Sequence, residues 1–253
     1  MKKISYLLII FVSLFIFSCT SYKKSVYVRE AENNGEYQPL NTQDNYKLKI
    51  NDILFIEINS LNENINTTFN LKASNSISYN EQYLYLRSYS INENGIITLP
   101  VVGEINVEGL TVYEASELIQ KKVNIYLNDA NIIVKLVSFK ISILGEVSSP
   151  GTFTVYQNKM NIFEALSMAG DISDYGNIKQ ILLIRTNSNK TKTFRIDLTD
   201  KNLLTLEQFI LQPNDIIYVE PVKAKVFRQN APNLSVALST ITTLVLVLNF
   251  ILK

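Results

Sequence analysis

Hydrophobic and polar positions follow three rhythms along this chain. At the two ends apolar residues run together: Ile4–Phe17 is uncharged and mostly apolar behind Met1-Lys2-Lys3, and Leu234–Leu252 (LSVALSTITTLVLVLNFIL) has no charge, Gly or Pro. In the middle, short stretches rich in β-branched and aromatic residues predict strands. They include Ile53–Glu57, Gly95–Pro100, Gly103–Val107, Ile132–Val137, Ile141–Val147, Thr152–Val155, Gln180–Arg185, Thr193–Leu198 and Ile216–Glu220. Two segments change to helical spacing. One follows Gly109-Leu110-Thr111, where Thr111 and Glu114 have capping-box spacing and Tyr113, Leu118 and Ile119 can share a face. The other follows Asn161, with Glu164 three residues on, Ile162, Phe163, Leu166 and Met168 behind it, and Gly170 as the stop. Strand, turn, strand, helix, strand thus occurs twice. The pattern predicts an α+β protein of two small sheet-plus-helix modules followed by one C-terminal transmembrane α-helix.

One phrase is repeated. Leu48–Glu57 (LKINDILFIE) echoes Leu211–Glu220 (LQPNDIIYVE), each an Asn-Asp turn feeding a strand. Asn tolerates a left-handed backbone and Asp closes turns through its carboxylate. The positions expected to shape turns are Asn51, Asp52, Gly95, Gly103, Pro150, Gly151, Gly170, Asn214 and Asp215. Asn59–Asn92, rich in Asn, Ser and Tyr, has little pattern and reads as a long excursion, either a lateral contact surface or a solvated loop.

The front end carries its own signal. The basic start and the apolar run, too short for a comfortable span, end at Ile16-Phe17-Ser18-Cys19, which resembles a bacterial lipobox. Cys19 is the expected lipidation site, and acyl chains contribute about 0.8 kcal/mol per buried CH₂ to an anchor. Thr20–Asn45 reads as a polar tether.

Composition narrows the chemistry. Lys plus Arg number 24 against 23 Asp plus Glu, so no electrostatic argument calls for nucleic acid. There is no His and one Cys, which excludes Ser–His, Cys–His and His-based metal sites. The acids are scattered, no cofactor or metal is called for, and an enzyme is not expected.

The phrases together resemble the outer-membrane polysaccharide export proteins of Wza type. Tyr46–Asp52 resembles that family's opening phrase, Asn94–Gly103 its Asp-Gly-x-Ile-x-Leu-Pro-x-Val-Gly phrase, Gly145–Gly151 its Gly-Glu-Val-x-x-Pro-Gly phrase, and Ala169-Gly170-Asp171 its Ala-Gly-Gly ending. Asn51, Asn214 and Asp171 stand where the family carries Gly. The resemblance implies a signal peptide over 1–18, a lipidated tether over 19–45 and a polysaccharide-export domain over 46–139. It further implies a soluble-ligand-binding β-grasp (SLBB) domain over 140–222, a linker over 223–233 and a transmembrane helix over 234–252. A single β-grasp module, where longer members carry two, implies a shorter periplasmic body.

The terminal run bears on mechanism. Nineteen residues of helix extend about 28 Å, near a bilayer's hydrocarbon thickness. At about 100° per residue, Ser235, Ser239, Thr242 and Asn249 fall within an arc of about 80°, a candidate pore lining. The resemblance implies a homo-oligomeric ring in a Gram-negative outer membrane, its helices forming a barrel that passes a capsular or extracellular polysaccharide. It also implies an inner-membrane polysaccharide co-polymerase with tyrosine-kinase activity as partner. The alternative is a non-porous, periplasm-facing lipoprotein that binds glycan or a protein partner and uses the terminal helix as a second anchor.

Overall fold

The computed structural model describes residues 26–29, 31, 35–37, 46–60, 68–71, 81–187 and 190–251. The signal segment 1–18 and Cys19 lie outside the described residues.

In the first module, strand β1 (Ile53–Asn59) takes the centre because its even residues are apolar: Leu54, Ile56 and Ile58 are all buried. Helix α1 (Glu81–Leu86) leads into β2 (Ser88–Ser90), which pairs antiparallel with one edge of β1. Strands β3 (Ile96–Leu99) and β4 (Gly103–Asn106) form a separate antiparallel hairpin. Helix α2 (Val112–Val123) follows, and β5 (Asn131–Leu136) pairs antiparallel with the other edge of β1, giving the order β2-β1-β5. The Thr111–Glu114 capping box forms, so two of the N–H groups orphaned at the helix start are satisfied reciprocally. The buried face of α2 is Ala115, Ile119 and Val123, spaced by four. Tyr113, expected on that face with Ile119, is exposed instead. Two residues before Ala115, it is turned about 160° away from that residue around the helix, and its hydroxyl donates to Glu117 at 3.0 Å.

The second module contains β6 (Lys140–Gly145), β7 (Gly151–Thr154), α3 (Ile162–Met168), β8 (Gly176–Asn187), β9 (Lys190–Ile196) and β10 (Ile216–Pro221). Its sheet order is β7-β6-β10-β8-β9, with β10 parallel to β6 and the other pairs antiparallel. Helix α3 starts with the Asn161–Glu164 capping box. It ends with Gly170 at φ +72°, the Asp171 N–H reaching Leu166 O and the Gly170 N–H reaching Ser167 O, the paired closure of a Schellman motif. Gly145 permits the tightest approach: its φ is +88°, and a Cβ there would lie 2.1 Å from Val219 O on β10.

Within the stretch read as a tether, residues 27–29 lie on the second module. The Val28 and Arg29 N–H groups donate to Leu198 O and Thr199 O at 2.8 and 3.0 Å. The Tyr27 ring stacks on Phe163 at 5.7 Å, and its hydroxyl donates to Asp171 at 2.6 Å. Helix α1 and strand β2 sit inside the segment that sequence pattern left as an excursion. Their signal is weak because α1 is 6 residues long and β2 is 3.

The C-terminal expectation is corrected here. Residues 234–251 of that run belong to helix α4 (Lys223–Ile251), which also takes in the residues read as a linker over 223–233. No helix among the described residues is long and apolar enough to cross a membrane. The expected transmembrane helix is therefore overturned. Lys223, Lys225 and Arg228 charge the start of α4, and Ser235, Ser239, Thr240, Thr242 and Thr243 break up its apolar residues over 235–243. The foot of α4 is fixed to the second module: Lys225 Nζ forms an ion pair with Glu146, and the Val222 N–H donates to Tyr175 O at 2.7 Å.

Candidate functional site at the junction of the modules

The two Asn-Asp turns have one backbone plan. Asn51 and Asn214 both adopt the left-handed region, at φ +69° and +67°. In each turn the aspartate N–H donates to the carbonyl three residues earlier, Asp52 to Lys49 O and Asp215 to Gln212 O, both at 3.1 Å. In each the carboxylate accepts the N–H of that same earlier residue, Lys49 at 2.9 Å and Gln212 at 2.8 Å. Leu48 and Leu211, which open the two phrases, are both buried.

The side-chain surroundings differ. Asp52 accepts the Tyr46 hydroxyl at 2.8 Å and, weakly, the Ser138 hydroxyl at 3.4 Å. Burial pushes its carboxyl above the ordinary value, against the lowering effect of these donors. Burial likewise raises the Tyr46 phenol, and the Asp52 charge adds to it. Asp215 is fully buried and meets a guanidinium: Arg185 Nε donates to Oδ1 at 3.0 Å and Nη2 to Oδ2 at 2.8 Å. Arg185 Nη2 also donates to Ile210 O at 3.0 Å, and Arg185 Nη1 lies 3.9 Å from Glu207. Arg185 is the functional-looking residue that the motifs miss. Its signal was parity, because on β8 it shares the inward register of Ile181 and Leu183.

The two turns face one another. Tyr46 and Gln212-Pro213 line a single cavity of about 270 Å³ between the modules. The charge of Asp215 reaches both Tyr46 and Lys49. Burial lowers the Lys49 ammonium below its ordinary value, and its Nζ sits 4.9 Å over the Tyr46 ring. The cavity floor is apolar, with Val134, Leu136 and Phe139. The first turn of α2, with Tyr113 and Ser116, and the 157–159 loop, Gln157-Asn158-Lys159, complete the lining. This pairs aromatic faces with amide and hydroxyl groups and brings one cationic and one acidic side chain, Lys159 and Glu207, to the lining. Among the described residues no group of three or more His, Cys, Asp or Glu could hold a metal ion.

The remaining sequence-nominated positions are structural or distant. Gly95 and Gly103 have φ +76° and +86° at the β3–β4 hairpin, and a Cβ on Gly95 would lie 2.6 Å from Glu108 Cβ. Pro150-Gly151 enters β7. On α4, Ser235, Ser239 and Thr242 are exposed. The Ser239 hydroxyl donates back to Val236 O at 2.8 Å, and that of Thr242 to Leu238 O at 2.8 Å. Such hydroxyls are occupied by their own helix. The Asn249 side chain lies outside the described residues.

Comparison with known proteins assigns both modules. Residues 40–137 match the family described as polysaccharide biosynthesis/export protein, and residues 139–219 match the SLBB domain. The chain is 26% identical over 136 residues to the EPS I polysaccharide export outer membrane protein EpsA of Ralstonia nicotianae (strain ATCC BAA-1114 / GMI1000). That match covers 52% of this chain and spans about a third, 35%, of the relative.

Proposed function

We propose that this chain, whose residues 40–137 match the polysaccharide biosynthesis/export protein family, is a non-enzymatic component of bacterial polysaccharide export at the outer membrane. The observation that carries the reading is the tandem of an export-family stretch and an SLBB stretch, which together take in nearly all of residues 40–219. The relative named above is an outer-membrane export protein, which supports the same location.

The finer reading has four parts. The chain is lipidated at Cys19 and faces the periplasm. It assembles with itself into a ring whose export and SLBB modules enclose a vestibule. A capsular or extracellular polysaccharide passes through that ring. An inner-membrane co-polymerase with tyrosine-kinase activity delivers the polymer. What supports the ring is the chemistry left on the surface: Tyr85, Leu86 and Tyr156 are exposed around one apolar groove. Contiguous exposed apolar surface of this kind marks interaction sites.

The experiment is surface polysaccharide in a host strain lacking this chain. Loss of surface polymer, restored by the full chain, is the expected outcome; unchanged surface polymer overturns the reading. The mass of the full-length protein in mild detergent, compared with a version truncated after Val226, tests the ring. A closed oligomer is expected, and a monomer at working concentration removes the ring from the proposal.

A further inference from the structure

We infer that the cavity between the modules is a binding site for one neutral pyranose unit, or a linked pair, and that occupancy clamps the two modules together. The inference deepens the export reading and rests on it for the source of the sugar.

Size comes first. A cavity of about 270 Å³ lies near the lower limit of small-molecule sites, roomy enough for a sugar ring or two and too small for a helix or a folded partner. Chemistry follows. A pyranose has apolar C–H faces and a rim of hydroxyls. The lining supplies both kinds of group, the rings of Tyr46, Tyr113 and Phe139 and the polar side chains of Ser116, Asn158 and Gln212. Tyr is suited to this, since it presents a flat apolar face and a polar tip. Its hydroxyl on Tyr46 is already committed to Asp52, so that ring is held in place by the turn and costs little to order.

Charge selects within the class. The charged residues at the lining, Lys159 and Glu207, are one of each sign, and behind them Arg185 is neutralised by Asp215. No net positive field favours a uronate, so a neutral sugar is the better fit. The lining is drawn from both modules: Tyr46, Tyr113 and Ser116 come from the first, Asn158 and Gln212 from the second. A ligand that touches both binds only when they are correctly docked, and therefore stabilises the docked arrangement.

The test exploits the absence of Trp. Tyr113→Trp in the full chain places a single indole at the cavity mouth. Titration with the methyl glycosides of glucose, galactose, mannose and N-acetylglucosamine is expected to give saturable fluorescence change with at least one of them. Adding Ser116→Phe, which fills the cavity without removing an aromatic residue, is expected to weaken binding at least tenfold. Adding Tyr156→Ala, on the exposed groove elsewhere, is expected to leave it unchanged. Should Ser116→Phe lower the melting temperature, Asn158→Ala takes its place, with an expected loss of severalfold. No saturation by any of the four glycosides overturns the inference, as does binding indifferent to both cavity substitutions. Tighter binding of methyl glucuronoside than of every neutral glycoside overturns the neutral assignment. The export reading is separately exposed: a strain lacking this chain that keeps its surface polymer defeats that reading, while one that loses polymer but is rescued by a chain that binds no sugar defeats only the cavity.

Discussion

Asp52 and Asp215 occupy the same place in two copies of one turn, each accepting the N–H three residues back, at 2.9 and 2.8 Å. Around Asp52 the further donors are neutral hydroxyls, from Tyr46 and Ser138. Around Asp215 the donor is a buried guanidinium brought from β8, thirty residues away in sequence. The difference shows that the local phrase specifies the backbone of the turn, while long-range packing decides how its carboxylate is satisfied. It also sets which copy is brittle. A buried ion pair adds little net stability over an apolar replacement, yet losing one partner strands the other charge.

The largest effect is therefore expected from Arg185→Leu. It leaves the Asp215 carboxylate buried beside only the Gln212 N–H and strips a donor from Ile210 O. The expected cost is about 3–5 kcal/mol in the second module. Hydrogen exchange of β10 amides, compared with β1 amides, reads it locally. The double substitution Arg185→Met with Asp215→Asn, which removes both charges and keeps an acceptor for Gln212, is expected to recover at least half of the loss. Equal protection of β10 in Arg185→Leu and the unsubstituted protein would show that the pair is dispensable.

In the first module the corresponding break is smaller. Ser138→Ala removes the acceptor of the Ile53 N–H, at 3.1 Å, along with the weak donor to Asp52. Leaving a half-buried N–H unsatisfied costs about 1–3 kcal/mol. Urea unfolding monitored on β1 measures it, and a loss as large as that of Arg185→Leu would erase the contrast between the two turns.

The parts legible in the sequence are those set by neighbours. The strand alternation, both capping boxes and the two Asn-Asp turns depend on residues within a few positions, so their pattern carries them. The parts that were not legible depend on distance or on small size. Nothing near Asp215 announces Arg185, although its inward parity on β8 was visible. Tyr113 reads as a core-face residue because a 12-residue helix permits more than one apolar stripe, and the stripe that is buried is Ala115, Ile119 and Val123. The cavity itself is a product of docking one module on the other, which no local pattern encodes. The terminal helix shows the opposite failure. A continuous uncharged run reads as a span, whereas no helix among the described residues is long and apolar enough to cross a membrane.

The two turns are further separated by pH. Asp52 has its folded-state value raised above the ordinary 3.8 by burial, so the folded protein holds this proton more tightly than the unfolded chain does. Its contribution to stability is fully present below the unfolded value and is lost as pH rises through the raised folded value. Stability of the first module is expected to fall across that window, with a slope of at most about one proton, and Asp52→Asn is expected to flatten it. A slope unchanged in Asp52→Asn would assign the titration to another group.

Tyr46→Phe sharpens this last contrast with the least disturbance. It removes one hydroxyl and keeps the ring that lines the cavity. The lost hydrogen bond to Asp52, 2.8 Å long, is worth about 1 kcal/mol, or somewhat more because the acceptor is charged. That hydrogen bond is also one of the donors holding the Asp52 carboxyl down against burial. Without it the carboxyl rises further, and the pH at which the first module loses stability moves upward. The two consequences separate a packing role from an electrostatic one. A loss of about 1 kcal/mol with the pH profile moved to higher pH places the Tyr46 hydroxyl on the carboxylate. The same loss with an unmoved profile would mean that the hydroxyl serves only the packing of the turn, and that the neutral donors around Asp52 do not compensate for the guanidinium that Asp215 enjoys.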